Sequence, residues 1–400
     1  MRRRRIIIGT AMSAMLAAAG TAVVLTSVPA SAAAVFAVAP YVDLSAGSAD
    51  MLDTAIAQGG VNSYTASFII GSGCTAIWGD TLGINNSTVN VRIARAQAAG
   101  AQTIISFGGA GGAELAQSCT DVNALTAQYQ SVITKYRVNH LDFDIEGAAI
   151  ADPTSINRRY QAIRNLEAAN PGLNVSVTIP VLEGGPTADG TNFLRAAVTN
   201  GARINLINAM VMDYGHPVTN MATAAQTGAT GTLAAARSAG INATFANIGV
   251  TPMIGNNDSA GEVVSLANAR TIVSWANANG IGRLAFWSIG RDQPCPGGGV
   301  SPNCSGLGGA ALDFTRAFTG GATGTPPNNP PPTTPPTTPP TNPPPTNPPP
   351  GTGATTWVAN HAYTVGNTVT FSGVSYRCLQ SHTSLVGWEP PNVPALWQRV

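Results

Sequence analysis

The chain has 400 residues, 44% of them hydrophobic, with 44 Gly, enough for one large core and a small second module. It carries 20 basic and 19 acidic residues; Arg2 to Arg5 supply four of the basic ones, and the remaining 16 against 19 leave a net charge of −3 and no basic patch for nucleic acid. The four His are scattered and the five Cys lack zinc spacing, so neither a metal nor another cofactor is expected.

Residues 1–34 have the form of a secretory signal peptide: a basic start, an apolar run from Ile6 to Val28, and Ala30-Ser31-Ala32 as an A-x-A cleavage site. The expected location is therefore extracellular, with no membrane contact after cleavage; an uncleaved run of this length is the alternative, a membrane anchor. Export exposes the chain to oxidising conditions, so Cys74 with Cys119 and Cys295 with Cys304 are expected disulfides, leaving Cys378 outside them.

Between residues 35 and 320 the chain repeats a strand-like apolar run followed by a longer Ala-rich helical pattern. Eight strands are predicted, at 35–43, 63–70, 103–108, 140–146, 174–180, 206–214, 248–254 and 283–289. Eight β/α units in about 285 residues predict an α/β fold, the (β/α)8 TIM barrel. An open doubly wound sheet is the competing architecture, but the chain lacks a Gly-rich phosphate fingerprint. Helix boundaries are read at Ser87, with Gly100 beyond the end, at Ser259 with Glu262 as a capping box, and at the stop Asn170-Pro171-Gly172.

Residues 321–354 form a Pro/Thr-rich linker. Its 326–350 segment, PPNNPPPTTPPTTPPTNPPPTNPPP, suits extended polyproline II, about 3.1 Å per residue. Residues 355–400 then make a small all-β module dense in Trp and Tyr, a composition suited to stacking on sugar rings.

The most informative stretch is HLDFDIEG, His140 to Gly147. On a strand, alternation puts Asp142, Asp144 and Glu146 on one face and Leu141, Phe143 and Ile145 on the other. Same-face neighbours lie roughly 7 Å apart, so three partly buried carboxylates repel and at least one should hold a proton near neutral pH. That is a poor way to stabilise a fold and a good way to make a general acid. A calcium loop starting at Asp142 would need Glu at its twelfth position, where Pro153 stands.

The same stretch resembles the D-x-x-D-x-D-x-E signature of glycoside hydrolase family 18, the chitinases, with Asn139 in place of the first Asp. The resemblance implies a secreted, retaining enzyme on a TIM barrel that cleaves chitin, the β-1,4 polymer of N-acetylglucosamine, and its oligomers. Catalysis would be substrate-assisted, through an oxazolinium intermediate formed by the acetamido group. Glu146 would be the acid, Asp144 the partner of the acetamido nitrogen, Asp142 its support, and Tyr214 the donor to the acetamido oxygen. The family's first Asp shares a proton with the next one inward, so Asn139 would shorten the relay and leave the pH optimum open.

Ser106, Gly108 and Gly109 in SFGGAGG resemble the family's S-x-G-G element, Met212 in LINAMVMDYG a lumen residue, and Trp287 in LAFWSIG the Trp that floors the sugar subsite. Without the resemblance Met212 reads as core, and Trp287 has a barrel-core aromatic as its alternative. Asp213 is a possible support, and Trp78, in the loop expected after the second strand, a further subsite. Trp275 reads as helix packing.

The C-terminal segment closely resembles the chitin-binding modules of carbohydrate-binding families 5 and 12. This implies that Trp388 stacks on the polymer with help from His382, Thr383, Pro390 and Pro394, while Trp357, Tyr363, Tyr376 and Trp397 form the core. Two rival functions share parts of this pattern. One is a catalytically weak or inactive chitin-binding lectin, which would typically lack Glu146; the other is an endo-β-N-acetylglucosaminidase acting on glycans. A monomer is expected.

Overall fold

The computed structural model describes residues 37–79, 81–295 and 298–320, then 355–359, 361–379, 382–384, 389–391, 393 and 396–400. The signal peptide and linker read over 1–34 and 321–354 lie outside these, as do Trp388 and Pro394.

Eight parallel strands form a closed ring: β1 (Tyr41–Asp43), β2 (Ser63–Ser72), β3 (Gln102–Gly108), β4 (His140–Asp144), β5 (Asn174–Pro180), β6 (Leu206–Met210), β7 (Ile248–Thr251) and β8 (Arg283–Leu284). Each pairs with its sequence neighbour. The ring closes where Val38 bridges Leu284, with Leu284 N donating to Ala37 O (2.7 Å) and Tyr41 N to Phe286 O (3.0 Å). All eight predicted strands are present in order, and the TIM barrel expected from their number is the observed fold.

The outer helices are α1 (Met51–Gly59), α2 (Ser87–Ala98), α3 (Val122–Tyr136), α4 (Pro153–Ala169), α5 (Ala188–Asn200), α6 (Met221–Ser238), α7 (Leu266–Asn279) and α8 (Asp313–Thr319). Local chemistry sets their ends. Asp152 caps α4 by accepting from Thr154 N and Ser155 N, with Pro153 at the first helical position where its missing N–H costs nothing, and the helix stops before Asn170 as predicted. The cap of α2 is Asn86, one residue before the predicted Ser87.

The capping box read at Ser259 and Glu262 is not formed. A short hairpin, 255–256 with 263–264, occupies that stretch, and α7 starts later behind Ser265, which forms the box with Asn268.

On β4 the alternation read from sequence is realised with both faces covered. Phe143 and Phe107 point outward, their rings stacked at 5.4 Å, and both meet Tyr129 of α3 edge-on at 5.1 and 4.8 Å. Burying each such ring contributes about 1.5–3 kcal/mol. The opposite face of β4 points into the lumen.

Trp78 corrects an expectation. Rather than standing in an open loop, it ends a strand, Thr75–Trp78, that folds back on the extension of β2 and pairs with Ile69. The indole is fully buried and donates from Nε1 to Tyr136 Oη at 2.8 Å, so it is packing rather than a sugar platform. Both expected disulfides are formed, Cys74–Cys119 and Cys295–Cys304. Trp275, at 5.8 Å from Phe245, packs its helix onto the barrel as read.

The C-terminal module is all-β: strand 368–371 pairs with 355–356 and 374–378, and 374–378 pairs with 397–399. Trp357, Tyr363, Val369, Tyr376, Cys378 and Trp397 make its core, as expected for the four aromatics. The backbone of His382–Thr383 pairs with Ala362–Tyr363, and Pro390 is buried.

Candidate active site

Parallel strands put all C-terminal ends on one face of the barrel, so the residues read from four different strands, β3, β4, β6 and β8, gather there. Asp144 is the last residue of β4 and Glu146 lies two further on; Met212, Asp213 and Tyr214 follow β6, and Trp287 follows β8.

The column facing the lumen on β4 is His140, Asp142, Asp144 and then Glu146. Asp142 is fully buried and accepts from four hydroxyls: Tyr41 (3.0 Å), Ser106 (2.8 Å), Thr178 (3.0 Å) and Ser176. Beneath it, Arg283 donates from Nη1 to Ser176 Oγ (3.1 Å), and its Nη2 lies 3.1 Å from His140 Nε2. Asn208 donates to Tyr41 and Thr178 and accepts from Thr251 at 2.9 Å. Asn139 is not in this network: it stands just before the first residue of β4, is exposed, and its carbonyl accepts from Asn174 N. Asn139 therefore adds no group to the column that Asp142 and Asp144 form.

Asp144 and Glu146 share a hydrogen bond. Burial, the charge of Glu146 and then that of Asp142 push Asp144 well above the usual carboxylate range, so the proton rests on Asp144, which donates to Glu146. Glu146 is itself pushed up to about 7, first by burial and then by the charge of Asp213. Asp213 is also raised to about 7, by burial and then by Asp258; its backbone has a positive φ of 51° and its carboxylate accepts from Ser259 N at 2.9 Å.

Two buried polar atoms of this cluster have no protein partner among the described residues: Asp144 Oδ1 and the Tyr214 hydroxyl. Burial, followed by Glu262 and Glu183, holds Tyr214 above its usual range, so it stays a hydroxyl and a donor. Trp287 is half-buried, its ring stacked on Phe68 at 5.6 Å and tilted against Tyr41 at 6.2 Å. Met212 is buried beside Asp213.

Gly108 and Gly109 are needed where they stand. A Cβ on Gly108, at φ 98°, would fall 2.0 Å from Asp144 O, and one on Gly109 would meet the Phe68 ring at 2.6 Å, while Gly109 N donates to Asp144 O at 2.9 Å. The S-x-G-G element thus supplies a donor to Asp142 through Ser106 and close backbone approach through its glycines. Sequence reading missed Tyr41, Phe68, Ser176, Thr178, Asn208 and Arg283; polar residues at lumen parity in otherwise apolar strands were the available signal. Among the described residues no group of three or more His, Cys, Asp or Glu is placed to hold a metal.

The barrel resembles the catalytic domain of a hyperthermophilic chitinase from Pyrococcus furiosus, with 29% identity and a TM-score of 0.65 over 71% of this chain and 94% of that one. In sequence it is 32% identical over 289 residues to the probable bifunctional chitinase/lysozyme of Escherichia coli (strain K12), 67% of this chain and 32% of that protein. It is 31% identical over 273 residues to endochitinase 11 of Metarhizium anisopliae, 64% of this chain and 52% of that protein. The chain thus spans about a third and about half of the lengths of these two curated relatives. Residues 356–398 match the model of carbohydrate-binding module family 5/12. A barrel of the chitinase type and a family 5/12 carbohydrate-binding module are therefore joined in this one chain.

Proposed function

We propose that the chain is a secreted chitinase that hydrolyses β-1,4 bonds between N-acetylglucosamine units with retention, using the substrate's own acetamido group as nucleophile. The observation that carries this reading is the pair of buried, unpartnered atoms at one barrel end: an acceptor, Asp144 Oδ1, and a donor, the Tyr214 hydroxyl. An acetamido group offers the matching set, an N–H donor and a carbonyl acceptor. A buried polar atom left unsatisfied costs about 1–3 kcal/mol, which a bound acetamido group would remove.

When Asp144 accepts the acetamido N–H it does so best as a carboxylate, and its proton passes to Glu146 along their hydrogen bond. Glu146 then protonates the glycosidic oxygen as the acetamido oxygen attacks the anomeric carbon. Asp144 carries the negative charge that stabilises the oxazolinium cation, and Tyr214 orients its oxygen. Ionised Glu146 next takes a proton from water, which opens the ring from the face the leaving group left, so configuration is retained. Trp287 supplies a half-buried face on which a pyranose ring can stack. Because the substrate provides the nucleophile, the reaction needs none from the protein, and Glu146 serves as acid and then base.

Secretion rests on the form of residues 1–34, and action on the insoluble polymer on the module. Time-resolved product analysis on chitin and on soluble oligomers tests the activity: N-acetylglucosamine oligomers are expected, and none from either substrate would refute it. Deleting 326–400, or Trp388→Ala, is expected to weaken binding and hydrolysis of insoluble chitin while leaving short soluble oligomers nearly unaffected. A tethered module acts by raising local concentration, and one stacked ring is worth about 0.5–1.5 kcal/mol beyond its buried area. Equal losses on soluble and insoluble substrate would contradict this division of labour.

A further inference from the structure

Ser259 and Glu262, the pair expected to cap a helix, stand instead against the segment that carries Tyr214. Both belong to the hairpin formed by 255–256 and 263–264 after β7, and both accept from one amide: Gly215 N donates to Glu262 Oε1 at 3.1 Å and to Ser259 Oγ at 3.2 Å. The Ser259 hydroxyl is in turn a hydrogen-bond partner of the Glu262 carboxylate, and the Tyr214 amide lies beside that carboxylate as well. Ser259 N donates to Asp213 at 2.9 Å, and Val218 N to Gly261 O at 3.3 Å. The turn of the hairpin thus grips the chain on both sides of Tyr214.

The sheet no longer holds that stretch. β6 ends at Met210, Val211 N still donates to Thr251 O, and Asp213 and Gly215 then turn through positive φ, 51° and 84°. A residue other than glycine persists in that conformation only where its surroundings over-determine it. The Tyr214 hydroxyl has no protein partner among the described residues, so backbone and packing alone set its aim. Glu262 is 1% exposed, and its second oxygen, Oε2, also has no partner among the described residues. Burying a half-satisfied carboxylate is costly, and what this one does is hold the Gly215 amide. The hairpin is anchored from its other side. Arg291, which follows Trp287 in the chain and is buried, donates from Nη2 to Ile254 O at 3.1 Å and to Asn256 O at 2.6 Å, while Asn256 N donates to Ser305 O at 2.8 Å. It therefore joins the strand end bearing Trp287 to the one bearing Tyr214.

We propose that Glu262 is a positioning residue, which by holding the Gly215 amide fixes the direction in which the Tyr214 hydroxyl meets the substrate's acetamido oxygen. The phenol oxygen stands at the far end of a rigid ring, so a small turn of the backbone becomes a larger displacement there, and a misplacement of about 1 Å can cost about a hundredfold in rate. The inference rests on the role given to Tyr214 above.

The test combines kinetics on soluble chito-oligosaccharide with amide hydrogen exchange of residues 213–218, in the full chain. Glu262→Ala is expected to lower kcat by about 10–10² while KM changes by less than about threefold. Glu262→Gln keeps an acceptor for the Gly215 amide and removes the charge, so it should recover most of the rate; a Gln variant as slow as the Ala one would assign the effect to charge and overturn the proposal. Once Tyr214→Phe has removed the hydroxyl there is nothing left to aim, so adding Glu262→Ala to it should cost little more, whereas a merely structural role would make the two losses multiply. Exchange at Gly215 should quicken at least about tenfold in Glu262→Ala and stay near wild type in Glu262→Gln. Should Glu262→Ala fail to fold, Ser259→Ala, which removes the other acceptor of the same amide, is expected to show both effects to a smaller degree. Multiplying losses, or unmoved exchange in whichever of these two variants folds, would overturn the proposal. A slow Tyr214→Phe beside a fast Glu262→Ala would strike the role of Glu262 alone, and a Tyr214→Phe enzyme as fast as wild type would strike that of Tyr214 and the proposal with it. If wild type cleaved no chitin, the reading of the reaction would fall, while the exchange would still decide whether Glu262 holds this segment.

Discussion

Glu146→Gln is expected to abolish hydrolysis of chitin oligomers while chitin binding and the fold persist. The loss should reach at least about 10²–10⁴ in kcat, the usual worth of one positioned general acid, and more because the same group acts again as base. The raised titration of Glu146, to about 7, gives the pH dependence. The pair works with one proton, held by Asp144 at rest and passed to Glu146, so wild-type activity should rise as pH climbs through about 7, where Glu146 gives up a second one, and fall only where Asp144 loses its own. The same shift governs stability. A carboxyl held in the folded state near 7 against 4.5 in the unfolded chain binds its proton more tightly when folded, so its contribution is present below about pH 4.5 and is lost as pH climbs to 7. Gln does not titrate. The variant should therefore gain on wild type across that window, by at most about 3 kcal/mol above pH 7. Thermal melts at pH 5 and pH 8 beside the rate measurements check both halves; near-normal turnover in the variant would remove the mechanism.

Asp144→Asn is expected to cost about 10²–10³ in kcat, and an activated leaving group should not repair it. An aryl glycoside leaves with little protonation, so such substrates should partly rescue Glu146→Gln. They should not rescue Asp144→Asn, because oxazolinium formation needs the negative charge of Asp144 whichever group departs. Asn keeps the shape and a hydrogen-bond acceptor but carries no charge. Comparing chito-oligosaccharides with their aryl glycosides for both variants separates the roles, and full rescue of Asp144→Asn would reduce Asp144 to tuning the acid.

Much of this site was legible because strand alternation is local. The even positions from His140 to Glu146 share a face whatever surrounds them, and the apolar odd positions pack outward on Tyr129 as expected. Asn139 shows how a motif position can fall outside the column: three residues before Asp142, it precedes β4 and is exposed. Trp78 and the Ser259/Glu262 pair failed for a different reason. Each sits where the chain turns back into a short antiparallel hairpin, and those pairings, Trp78 with Ile69 and 255–256 with 263–264, leave little periodic signal in two to four residues. Arg283 was illegible as a site residue because its partners are Ser176 and His140, more than a hundred positions away, and ring closure alone brings them together. Tyr41, Asn208 and Thr251 were hidden in the same way, each a single polar residue on a different strand.

The central claim is that the substrate's acetamido oxygen is the nucleophile, and the measurement closest to it is hydrolysis of an aryl chitobioside series in which the N-acetyl group next to the scissile bond is replaced by mono-, di- and trifluoroacetyl. Fluorine drains electron density from the carbonyl oxygen while barely changing its size. The account predicts that kcat/KM falls steeply with each added fluorine, in parallel with the lost nucleophilicity of that oxygen; rates independent of fluorine content would mean that the oxygen takes no part in bond formation, and would contradict it.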